Sequence, residues 1–417
     1  MSKHNQQELP LSHYRVLDLA DEKGFFCGKV LADLGADVIK IESPGGDAAR
    51  RIDPFYHDIP APEKSLHWFA FNANKRGITL NLETKDGRGI FKKLAKTADF
   101  VVESFPPGYL EKLGLGYPVL SQINPRLIVT SITPFGQTGP YRDYKVTDFT
   151  AMAMSGLVFV TGDPDRPPVC FSVPQAYLHA GLQAAAGTMI AHYSRELTGK
   201  GQWVDVSIQR SVYWTAFPQP RITWEFAKAI RHRIGGLHVG AVRINIVWRC
   251  QDGHVSLRII TGVGSGQKTR HLVEWMNSEG IAGDLMALDW EAIDMVNVTQ
   301  QEADHWQELI ARFFLKHTKK ELFDGAARWD VMLFPVYTTA DLPQDEQLKA
   351  RNYFTSVEHP ELGTSITYCG APYKSTEYEP TVRFRAPLIG EHNEQIYIGE
   401  LGFSKAQLVA LNEANVI

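Results

Sequence analysis

The sequence predicts an α/β fold, and three observations carry that expectation. Residues 14–19 (YRVLDL), 24–35 and 36–42 (ADVIKIE) read as strand, helix and strand, a βαβ unit whose crossover should be right-handed. Residues 99–103 add a buried strand and residues 127–133 another. Residues 174–198 read as a long helix, stopped by Thr198-Gly199-Lys200-Gly201 and followed by an alternating strand at 204–208 (VDVSI).

Taken in order, the first helix is apolar at Val30, Leu31 and Leu34, and the second strand is apolar at its centre. Ser43-Pro44-Gly45-Gly46-Asp47 follows that strand's carboxyl end, where open α/β sheets bind ligands. It reads either as a plain turn or as a phosphate contact. Asn72, Asn74, Lys75 and Arg76 precede a strand predicted at 78–82, and a helix is predicted at 90–98. The strand at 99–103 exits through Ser104-Phe105-Pro106-Pro107-Gly108, and Asp148 stands before a helix at 149–156. In the long helix, Pro174 suits the first turn. Leu178, Leu182, Ala185, Ala186, Met189, Ile190 and Tyr193 form one apolar face, the side a helix turns to the core. Ala184-Ala185-Ala186-Gly187 keep the helix thin, and Arg195 complements the dipole at its end.

Beyond residue 212 the pattern changes. Trp214, Phe217, Trp224 and Phe226, with Pro218 and Pro220, suggest a proline-interrupted linker helix over 213–230. Residues 231–335 read as a smaller domain, opened by a hairpin at 248–257 with Asp-Gly at its turn. Gly262 to Thr269 resembles a phosphate cradle, but Gln267 stands where a P-loop needs glycine, which leaves a hinge or lid. Helices are predicted at 302–314 and 319–327.

Composition bounds the function. The chain has 417 residues, enough for two or three domains. A formal net charge of −4 gives nucleic-acid binding no electrostatic support. No apolar run approaches a membrane span, and the first residues lack the apolar segment of a secretory signal. Four scattered cysteines without a CxxC pair favour a reducing cytoplasm over disulfides or zinc.

A helix ending in Arg-Glu-Leu-Thr-Gly-Lys-Gly-Gln before a Val-Asp-Val-Ser strand resembles the class III CoA-transferase family, the family of formyl-CoA transferase, carnitine CoA-transferase and α-methylacyl-CoA racemase. LADLGADVIKIESPGGDAAR, FAFNANKRGITLNL, Pro134-Phe135-Gly136-Gln137-Thr138-Gly139-Pro140, DLPQDEQLKARNYF and the run 386–402 resemble that family's further blocks, so the likeness covers nearly the whole chain. It implies a Rossmann-like large domain built from residues 1–212 and a return segment at 336–417, a small central α+β domain, and an interlocked dimer. It implies coenzyme A thioesters as substrates, with no covalently bound cofactor. It places CoA beside Ser43, Asn74, Leu82, Phe105 and Lys112, the last where relatives often carry arginine.

The resemblance also exposes a departure. The family's catalytic aspartate lies four residues before a helix glycine that matches Gly181, and that position here is Tyr177. An aspartate near pKa 4 is almost fully ionised at pH 7, whereas a tyrosine is about one part in a thousand phenolate. Tyr177 is therefore a poor nucleophile in a reaction that needs a carboxylate. The racemases' histidine is matched by Thr147, which cannot move a proton near neutrality. The first βα loop reads Asp21-Glu22-Lys23-Gly24-Phe25-Phe26, one residue shorter than the relatives' small-residue loop. Glu22, His179 and Cys170 are the alternative nucleophiles or bases to weigh.

Three expectations follow. The chain resembles the Asp-less subunit of succinyl-CoA:(R)-benzylsuccinate CoA-transferase, which implies a heteromer whose homologous partner supplies the aspartate and which moves CoA from succinyl-CoA to an aromatic acid. The second is a stand-alone enzyme acting on acyl-CoA through Glu22 or His179. The third is a non-catalytic CoA-binding or assembly protein.

Overall fold

The fold is described from a computed structural model covering residues 8–216, 218–239 and 242–417. Phe217, counted above with the linker aromatics, and the first seven residues lie outside the described residues. Strands β1 (Arg15–Asp18), β2 (Asp37–Glu42), β3 (Lys75–Thr79), β4 (Phe100–Glu103), β5 (Ile128–Thr133) and β6 (Trp203–Ser207) form one parallel sheet in the order β3-β2-β1-β4-β5-β6. This is the doubly wound order of a Rossmann-type sheet, with its reversal between β1 and β4. Helices α1 (Phe25–Asp33), α2 (Leu66–Asn72), α3 (Lys85–Ala95), α4 (Tyr109–Lys112), α5 (Tyr117–Ile123), α6 (Asp148–Met154) and α7 (Ala176–Thr198) connect the strands. Two apolar cores result, one holding Val16, Val38, Val102 and Ile132 with α1 and α7, the other holding Leu17, Ile39, Val101 and Val129 with α3. Alternate residues of each strand feed opposite cores, as a two-sided sheet requires.

Most of the α7 face that the spacing turned inward is not in the core: only Ala185 is buried, Leu178 and Met189 are half-buried, and Leu182, Ala186, Ile190 and Tyr193 are exposed, Ile190 by 71%. The buried stripe is Ala176, Ala180, Gly181, Ala184, Ala185, Thr188 and Ala191. Close approach is the reason: a Cβ on Gly181 would stand 2.8 Å from the Phe26 Cβ and 3.1 Å from the Cys27 amide. Small residues let the two helices touch, so the larger apolar residues face away. Arg195, read as a dipole partner, is fully buried and donates to the carbonyls of Asp99 and Arg126 at 3.0 Å each.

Past β6, the linker is two helices, α8 (Ile208–Ala216) and α9 (Pro218–Ala227). Chain contacts divide the protein into two compact units: residues 8–158, 170–230 and 350–417 in the first, and 159–169 with 231–349 in the second. The second unit therefore takes in a short earlier segment and runs past residue 335, where the sequence pattern ended it. It holds strands β7 (Leu237–Val239) and β8 (Val242–Ile244), which pair antiparallel, and strands β9 (Val247–Cys250) and β10 (Gly253–Leu257), the expected hairpin, whose turn is Gln251-Asp252, one residue before the Asp-Gly pair read from the sequence. Helices α10 (Gln267–Ser278), α11 (Gln300–Phe314) and α12 (Lys319–Trp329) follow, then β11 (Leu333–Val336), which extends the β9–β10 hairpin. Capping boxes at Thr299–Glu302 and Thr318–Glu321 start α11 and α12. Around them packs a separate core with Trp248, Trp275, Trp290, Trp306, Phe313 and Phe314.

Helix α13 (Glu346–Ala350) leads back to the first unit, where β12 (Phe354–His359) and β13 (Thr364–Cys369) form a hairpin and α14 (Lys405–Glu413) lies near the end. Strand β3 is the sheet's outer edge, and returning residues cover it. The Gly77 amide donates to His392 Nδ1, the Thr79 amide to Asn393 Oδ1, and Tyr397 Oη to the Thr79 carbonyl. An open edge would otherwise template pairing with another chain. No helix among the described residues is long and apolar enough to cross a membrane.

Candidate active site

In a doubly wound sheet the loops on either side of the order reversal diverge and leave a crevice. Here those loops follow β1 and β4, and one bridge spans them: the Ser104 hydroxyl donates to Asp21 Oδ1 at 2.7 Å and accepts the Asp21 amide at 2.8 Å. Glu103, the last residue of β4, accepts the Phe105 amide at 2.8 Å. Burial pushes its carboxyl up to about 7.

The amino end of α7 lies beside this crevice. Its N-cap, Gln175, makes no side-chain cap, and Pro174 lies just outside the helix rather than in its first turn. Asp148 caps it from α6 instead, accepting the amides of Gln175 at 3.0 Å and Tyr177 at 2.8 Å. A carboxylate there satisfies orphan donors and meets the positive end of the helix dipole. Thr147 is spent as the N-cap of α6 in a capping box with Thr150.

Tyr177, Glu22 and Asp148 line one cleft of 610 Å³, together with Phe26, Leu66, His67, Phe71 and Val173. Burial drives the Tyr177 phenol well above the usual tyrosine range, and the carboxylates of Glu22, Asp148 and Asp21 push it further. Phenolate is thus scarcer here than in a free tyrosine. Burial, then Asp21, raises the Glu22 carboxyl. Burial lowers His67 and keeps its ring neutral at pH 7, and its Nε2 is buried without a hydrogen-bond partner. His179, the next residue after the cleft-lining Leu178, is outside the lining and bonded elsewhere: its Nδ1 meets Thr215 Oγ1 at 2.9 Å. Cys170 is exposed and outside the cleft's lining. So the structure brings Glu22 to Tyr177 and leaves His179 apart. His67 and the capping role of Asp148 escaped the sequence reading. The signal for His67 was its place four residues before Phe71 in a helix opened by Ser65.

The residues expected beside CoA divide. Ser43, Leu82 and Phe105 follow the carboxyl ends of β2, β3 and β4, and Lys112 ends α4 beyond them, exposed. Ser43 closes a turn onto the Gly46 carbonyl at 3.3 Å. Leu82 is buried in the core, and the Phe105 ring lies 4.6 Å from that of Tyr109, whose hydroxyl donates to Glu83. Asn74 is different. It precedes β3, at the opposite end of the sheet, and its whole amide is occupied. Nδ2 donates to Asp33 Oδ1 at 2.7 Å and the Thr381 carbonyl at 2.8 Å, and Oδ1 accepts the amides of Arg383 and Phe384. No polar group of its side chain is left for a ligand. Among the described residues no cluster of His, Cys, Asp and Glu could hold a metal ion.

The sheet order and the cleft at the amino end of α7 define an α/β enzyme of the Rossmann type, and comparison with known proteins sharpens this. The chain belongs to CoA-transferase family III, whose sequence profile matches residues 11–393. It is 37% identical over 393 residues to the succinyl-CoA:(R)-benzylsuccinate CoA-transferase subunit BbsE of Thauera aromatica, covering 94% of each chain. It is 32% identical to the succinyl-CoA–D-citramalate CoA-transferase of Chloroflexus aurantiacus, covering 98% of each. Among solved structures, a CaiB/BaiF family protein from Brucella suis superposes with a TM-score of 0.82 at 28% identity, over 94% of this chain and 100% of that one. Family membership makes this chain a class III CoA-transferase, in which CoA thioesters are the substrates.

Proposed function

We propose that this chain is one subunit of a heteromeric CoA-transferase. CoA moves from succinyl-CoA to a carboxylic acid, an aromatic succinate such as benzylsuccinate, and a homologous partner subunit supplies the aspartate. The observation that carries the reading is Tyr177. It stands at the aspartate's position with its phenol held neutral among Glu22, Asp148 and Asp21. In the class III reaction a carboxylate attacks the thioester carbonyl and expels CoA thiolate, leaving a mixed anhydride. The thiolate then attacks the enzyme carboxyl and releases the donor acid, and the enzyme-bound thioester passes CoA to the incoming acid through a second anhydride. A phenol ester would not keep that sequence reversible. The named subunit BbsE supports the donor and the heteromer, and the exposed apolar side of α7 offers surface to a partner. Four free cysteines accord with a cytoplasmic home.

The test is to express the chain alone and together with an aspartate-bearing homologue, and to follow succinyl-CoA and benzylsuccinate by mass spectrometry. The expected result is transfer only in the mixture, from a stable complex. Turnover by the pure homomer, lost in Glu22→Gln, would replace this reading with a stand-alone enzyme. CoA binding without turnover in any mixture would make the chain a non-catalytic binding protein.

A further inference from the structure

Among the described residues, the cleft beside Tyr177 offers a ligand no cation: its ionisable lining is Glu22, Asp53, Asp148, His67 and Tyr177, with neither lysine nor arginine. A carboxylate placed among these groups would lose its water and meet three acids without a counter-charge. The rest of the wall is apolar: Phe26, Leu66, Phe71 and Val173 lead it, and the His67 and Phe71 rings stand 4.9 Å apart. Such a wall rewards removal of apolar surface from water and accepts an aromatic ring edge-on or offset.

We propose that this cleft holds an uncharged aryl group, with any carboxylate left outside. The inference deepens the functional reading, since the ring of an aromatic acid is such a group. It rests on that reading for the identity of the acid and on the lining alone for its chemistry. With tyrosine where the family has aspartate, a ring held here is bound without being acylated by this chain.

Calorimetric titration of the whole chain with acetophenone, benzoate and toluene at neutral pH tests this without a partner or turnover. Acetophenone should bind about tenfold or more tighter than benzoate. Val173→Trp, at a position 60% exposed and so no burden on folding, should weaken acetophenone about tenfold by filling the cleft. Benzoate binding as tightly as acetophenone, no effect of Val173→Trp, or no binding of any ring would overturn the proposal. Ring binding with no transfer in any mixture would sink the functional reading alone, and transfer without ring binding would sink this one alone.

Discussion

Asp18 and Lys75 form an ion pair 2.8 Å long with neither side chain exposed to solvent. The Lys75 ammonium also donates to the Phe25 carbonyl at 3.1 Å and Asn72 Oδ1 at 2.9 Å, so all three of its protons are used. Asp18 Oδ1 accepts the Ala20 amide at 3.0 Å. The pair ties β1 to β3 and sets the start of the loop that carries Glu22. Breaking such a pair leaves a buried charge uncompensated. Lys75→Met should cost about 3–5 kcal/mol in urea unfolding, and adding Asp18→Asn should restore roughly half of it. Gly28→Ala should be similarly severe, because its Cβ would fall 2.3 Å from Asp18 Oδ2.

Glu103 gives stability a pH dependence. Its carboxyl titrates near 4.5 when unfolded and at about 7 in the fold, so between these values the folded chain binds the extra proton. Stability should therefore fall as pH rises from about 4.5 to about 7, by about 3 kcal/mol for this group. Denaturant midpoints at either end of that window should differ less in Glu103→Gln than in the parent chain. An unchanged difference would mean that Glu103 is not the group responsible.

Asn74 sits at φ 66°, in the left-handed region that asparagine tolerates better than most residues. Asn74→Ala loses four hydrogen bonds and keeps the strain, and should cost about 2–4 kcal/mol. Asn74→Gly relieves the strain alone. In both, hydrogen exchange at the Arg383 and Phe384 amides should quicken sharply.

The phenol of Tyr177 should stay neutral wherever a free tyrosine would ionise. Ultraviolet titration of the parent chain and of Tyr177→Phe should therefore give the same phenolate signal up to pH 10.0, the ordinary tyrosine value. Transfer by a reconstituted mixture should survive Tyr177→Phe. Loss of transfer with folding intact would assign the hydroxyl a part in the reaction.

Substitutions on α7 should separate its two sides. Ala184→Leu, on the buried stripe, should cost about 1–3 kcal/mol by overpacking the core. Ile190→Glu, on the exposed side, should leave the unfolding of the isolated chain within about 0.5 kcal/mol.

What the sequence disclosed, and what it hid, follows from these contacts. Strands β1, β2, β4, β5 and β6 were legible within a residue or so because their β-branched and other apolar residues cluster, or in β6 alternate, between clear breaks. Strand β3 was placed three residues late, since Lys75 and Arg76 look like a turn until Asp18 and Asp37 are seen to pair with them. The inward side of α7 was hidden because alanine and glycine carry little hydrophobic signal, yet they are what close helix contact needs. The expectation that Tyr177 departs from the family's aspartate came from the motif alone. The burial that raises its phenol, and the nearness of Glu22 and Asp148, were not legible, because those residues arrive from the β1 loop and the start of α6. His67 gave only the faint signal of a lone histidine among aromatics.

The cover over β3 has a consequence in time. Phe384, which bonds Asn74, lies 310 residues later in the chain. At about 5–20 residues per second a ribosome delivers it roughly 15–60 seconds after β3. Throughout that interval the newly made sheet has a bare outer strand. Escape from self-association during synthesis thus depends on something shielding that strand until the last residues emerge, and chains cut short before residue 384 should be the ones that clump.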